Sequence, residues 1–117
     1  MAFILTVDML RSSYDLLCTT PPFRNWNLPD SDDVVFRLNR SKTTSAYQVF
    51  DGARHTIGVS TACISTLDLL NRYMAHELVH VHEANVGQDR SDTQHSAAWR
   101  KWAAQVCRAH GYDPMAF

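Results

Sequence analysis

Between Leu70 and Val81 the apolar residues Leu70, Met74, Leu78 and Val81 fall at intervals of four, four and three. That is the pattern of one helical face pressed into a core. The same turns carry His76, Glu77 and His80, so the face opposite the apolar stripe is polar. Ser65 and Asp68 stand in the S-x-x-D relation of a capping box ahead of this run, and Gly87 supplies its stop. A helix of this kind must be covered by the remaining chain. With 117 residues the chain has material for one core, and a single domain over residues 1–117 is expected.

The flanking segments supply that cover. Phe3, Val7, Leu10, Tyr14 and Leu17 form the stripe of a first helix that ends before Pro21 and Pro22. The turn-rich segment TTPPFRNWNLPDSDD follows, with Trp26 as its anchor. Three short runs, VVFRLNRS, SAYQVF and RHTIGVST, are rich in β-branched and aromatic residues and read as strands. Asp51-Gly52, between the second and third, predicts a hairpin with a type I′ turn. The last helix starts at the N-cap Ser96, turns Trp99, Trp102, Val106 and Cys107 inward, and stops before Gly111 and Pro114. The expected fold class is α+β: a small, mainly antiparallel three-stranded sheet packed with an N-terminal, a central and a C-terminal helix.

Composition excludes several function classes. Eleven basic and twelve acidic residues give a net charge of −1, so overall charge gives no support for DNA or acidic-membrane binding. Arg37, Arg40 and Arg54 leave local DNA contact open, although arginines on strands read first as a solvated face. Cys18, Cys63 and Cys107 are odd in number and widely spaced, which fits neither a disulfide framework nor a paired-cysteine zinc module. Reduced thiols and a cytoplasmic location are expected. The start MAFILTVDML lacks the basic residues of a signal peptide. No stretch approaches the roughly 20 apolar residues of a membrane span.

The segment YMAHELVHVHE, residues 73–83, holds three of the six histidines and both glutamates. His76 and His80, four residues apart, project from one helix face about 6 Å from each other, within reach of one metal ion. Glu77 lies about 100° round the helix, beside the two histidines. Together they make H-E-x-x-H, in which a zinc ion acidifies water and polarises a carbonyl while the glutamate takes the proton. Random placement of these residues would give the pattern roughly once in two hundred such chains, so chance explains it poorly.

A catalytic zinc site needs a third protein ligand and one open position. The metzincin pattern is excluded, because Glu83 and Val86 stand where it has glycine and histidine. Glu83 shares a face with His76 but two turns away, which suits a supporting hydrogen bond or solvent exposure better than ligation. His95, just before the last helix, can reach the metal if that helix packs on the central one. His82 points about 160° away from the other two and is expected at the surface or in a second layer. His55 and His110 have no spacing argument and are read as structural.

From Ile57 to about Tyr112 the chain resembles the SprT-like metallopeptidases, the family of the Spartan DNA–protein crosslink proteases. The resemblance rests on the strand TIGVST, a helix bearing HELVH, fourteen residues, and then HSAAW opening another helix. It implies a minimal zincin-like arrangement with one Zn2+ per chain, bound by His76, His80 and His95, and Glu77 as general base acting on a protein or peptide substrate. Ser96 stands where the family commonly has glycine. The chain has no paired cysteines for a zinc ribbon and no strongly basic tail, so the family's DNA-repair role is not carried over. The alternatives are an ImmA/IrrE-like repressor-cleaving peptidase and a non-catalytic, zinc-stabilised binding module.

Overall fold

The computed structural model describes residues 3–87 and 95–117. Its strands β1 (Val34–Asn39), β2 (Ala46–Phe50) and β3 (His55–Ser60) form one sheet in the order β1-β3-β2. The α+β class is as expected, but the sheet is mixed. β2 pairs antiparallel with β3, from Ala46 opposite Val59 to Phe50 opposite His55, whereas β1 pairs parallel with β3, from Val34 opposite His55 to Asn39 opposite Ser60. The cause lies in the link between β1 and β2, which crosses the end of β3 instead of turning back beside β1. Bonds across that end hold it: Ser60 Oγ donates to Ser41 O, Ser60 N to Ser45 O and Thr61 N to Asn39 O.

The central place of β3 shows in its burial, since Ile57, Gly58, Val59 and Ser60 are all buried, as a strand covered on both faces requires. The hairpin from β2 to β3 forms where Asp51-Gly52 predicts it, but its loop has four residues instead of the two of a type I′ turn. Gly52 takes φ +96°, and Asp51 Oδ1 accepts from Ala53 N and Arg54 N, both at 2.8 Å. Those side-chain bonds stabilise the wider turn. Tyr47 lies against Gly58, and a Cβ at residue 58 would overlap its ring.

Helix α1 (Val7–Cys18) is capped by Thr6. Leu10, Tyr14 and Leu17 are buried as expected. Phe3 precedes the helix, and Phe3 and Val7 are exposed, so the buried stripe is shorter than its periodicity suggests. Helix α2 (Leu67–Asn85) takes Thr66, not Ser65, as N-cap: its side chain accepts from Leu69 N. The four stripe residues of α2 are fully buried, joined by Ala75 and Val79. α2 packs against α1, β2 and α3 (Ala97–His110). Ser96 caps α3 through Trp99 N, and Gly111 ends it with φ +77°. None of the described helices is long and apolar enough to cross a membrane.

Trp26 pins the turn-rich segment as expected. Its ring packs edge-on against Phe23 and stacks on His82 at 4.2 Å and 13°. The three cysteines are free thiols.

Candidate metal centre

Helix α2 fixes two imidazoles rigidly, because the apolar stripe on its far side is locked in the core. α3 brings the third. His95 stacks on Trp99 at 3.9 Å and 10°, so the first turn of α3 carries the ring of its preceding residue toward α2. Half of the fourteen-residue connection to His95, residues 88–94, lies outside the described residues. Its endpoint is clear: one nitrogen from each of His76, His80 and His95 lies within 4.8 Å of the others, and this group could hold a metal ion.

His76 Nε2 and His95 Nε2 stand 3.2 Å apart. Two imidazole nitrogens sharing a tetrahedral ion at about 2.0–2.1 Å stand roughly 3.3 Å apart, so the spacing matches a common ion. With no ion present the same spacing is a hydrogen bond between two neutral rings, one donating and one accepting. Burial pushes the His76 imidazolium pKa down to about 4, helped by His95 and Arg72. Burial also lowers that of His95, with Arg100 adding to the effect and Glu83 opposing it. Both rings are therefore neutral at pH 7, the form that binds metal.

Glu77 is buried beside the triad. With His76 and His80 it lines a cavity of about 230 Å3, whose other wall is Thr44, Ala46, Tyr47 and Gln48, from β2 and the residue pair preceding it. A larger hollow of about 300 Å3, between α1 and residues 23–31, contains none of these groups. The site therefore opens toward β2, an edge strand that nothing in the sequence singled out.

For two residues the structure decides between the alternatives expected. Glu83 is fully buried, so solvent exposure is ruled out and the supporting hydrogen bond is what forms: Ser96 Oγ donates to Glu83 Oε2 at 2.5 Å. His82 is buried as well, held between Trp26 and Trp102, whose ring it meets edge-on at 4.6 Å. It is a packing residue of the α2–α3 seam instead of a surface group. The signal available for Glu83 was its place three residues beyond His80. Its partner came from another helix and had none.

His55 and His110 stand apart from the triad. His55 Nδ1 accepts from Gln48 Nε2 at 2.8 Å, which leaves its Nε2–H to donate to Asn85 Oδ1 at 2.9 Å. His110 Nε2 donates to Pro21 O at 2.9 Å. Arg37, Arg40 and Arg54 are exposed. Neither a protein-family model nor a curated protein matches the chain.

Proposed function

We propose that the chain is a zinc-dependent peptidase that hydrolyses peptide bonds of protein substrates. The observation that carries this reading is the convergence of His76, His80 and His95 on one point, with Glu77 beside them in a cavity walled by an edge strand. Three imidazoles suit zinc, a borderline-soft ion with tetrahedral preference. When bound, zinc would supply a Lewis acid that polarises the scissile carbonyl and acidifies water.

The protein's own groups do the rest. Glu77 is placed to take a proton from the attacking water and return it to the leaving amine. β2 is the outer strand of the described sheet, and an extended peptide pairing with it as an added strand would cross the cavity in front of Glu77. Burial of Glu77 and His80 keeps the surroundings low in dielectric, where charge developing on the substrate is most strongly felt. The similarity of HELVH and HSAAW to SprT-like metallopeptidases supports the same reading.

Glu77→Gln tests it. The variant should keep one zinc per chain and lose at least about 100-fold in cleavage of an unfolded protein. Wild-type protein that binds no zinc would sink the proposal.

A further inference from the structure

We infer that Glu83 is a positioning residue that couples two of the three metal ligands, His80 on α2 and His95 just ahead of α3. This rests on the metal-site reading above and adds to it a residue outside the H-E-x-x-H motif. Glu83 has no exposed surface, and a buried carboxylate is costly unless it is paired. One oxygen, Oε2, accepts from Ser96 Oγ at 2.5 Å. The other, Oε1, lies 3.7 Å from His80 Nδ1. A carboxylate on that side favours the tautomer with the proton on Nδ1 and leaves Nε2 of His80 to face the other two rings.

Ser96 extends the link. Its Oγ also accepts from Trp99 N at 3.1 Å, so one hydroxyl caps α3 and grips Glu83. The residue before it is His95, and its ring lies on Trp99. Glu83 thus faces His80 across 3.7 Å, where its charge acts on the ring electrostatically, and sets the start of α3, with His95, through the hydrogen bond of a single intervening side chain. A carboxylate placed this way raises the basicity of one ligand and fixes the distance to another without occupying the ion's own position.

The test measures zinc affinity of the full chain by chelator competition, with the visible spectrum of the cobalt(II) form and the thermal unfolding of the metal-free form alongside. Glu83→Gln should weaken zinc about 10- to 100-fold and alter the cobalt spectrum. Ser96→Ala should weaken zinc less, Ser96→Thr should restore it, and the double variant should lose little beyond Glu83→Gln alone, as coupled residues do. Unchanged zinc affinity and cobalt spectrum in folded Glu83→Gln, with only a lower unfolding temperature, would overturn the inference while leaving the metal site standing. If Glu83→Gln does not fold, equal zinc affinity in the Ser96 variants and wild type overturns it. Wild-type protein that binds no metal removes the inference and the metal site together.

Discussion

His80 and His82 lie two residues apart on α2 and are nearly equally buried, at 6% and 9% exposure, yet their surroundings share nothing. His80 looks toward His95 and has a carboxylate 3.7 Å from its Nδ1. His82 lies flat on Trp26 and edge-on to Trp102, and burial lowers its pKa with no carboxylate among the causes. Two residues turn a helix by about 200°, which separates the face that gathers His76, His80 and His95 from a face that packs. A dense run of histidines is therefore not one site, and what each ring does follows from the element it meets.

Four experiments would sharpen or break that contrast. The largest effect is expected from His80→Ala, which should weaken zinc by more than about 1000-fold in chelator competition, since a three-ligand site loses a ligand. His82→Ala should leave zinc stoichiometry at one; equal loss in both variants would erase the distinction.

The next effect concerns pH. In the metal-free protein the folded-state values of His76, His82 and His95 lie below the ordinary histidine value. The unfolded chain therefore binds more protons as the pH falls from about 6.5 toward 4. Stability is full above that window and is lost on descending through it, with His76 alone contributing on the order of 2 to 3 kcal/mol. Urea midpoints measured across pH 4 to 7 with chelator present should show this slope.

Smaller still, His82→Ala should cost about 2 kcal/mol in urea unfolding, because the seam between Trp26 and Trp102 is left underfilled. Least of all, His82→Phe should stay within about 1 kcal/mol of wild type and keep its zinc, as a ring of similar shape fills the same slot.

What could be read from sequence follows the range of the interactions involved. The ends of α3 are set by Ser96 and Gly111, and the core stripe of α2 by three- and four-residue spacings. These are local, and they appear where expected. The pairing of His76 with His80 is local in the same sense. Strand order is not: alternating residues mark a strand but do not say which neighbour it takes, so the parallel pairing of β1 with β3 depends on how residues 40–45 cross the sheet end. Glu83 shows the same limit at the site. A glutamate near the end of a histidine-rich helix reads equally as solvated or as hydrogen-bonded until a serine ahead of another helix decides it.

The contact between Tyr47 and Gly58 places a condition on residue 58. The two residues sit directly opposite across the antiparallel pair, and the ring occupies the space that any side chain at 58 would need. Because Tyr47 also lines the cavity beside Glu77, a change at position 58 would reach the cleft. A side chain at 58 would press on the far end of the Tyr47 ring and so displace one wall of that cleft, whereas a smaller residue at 47 would leave room for it.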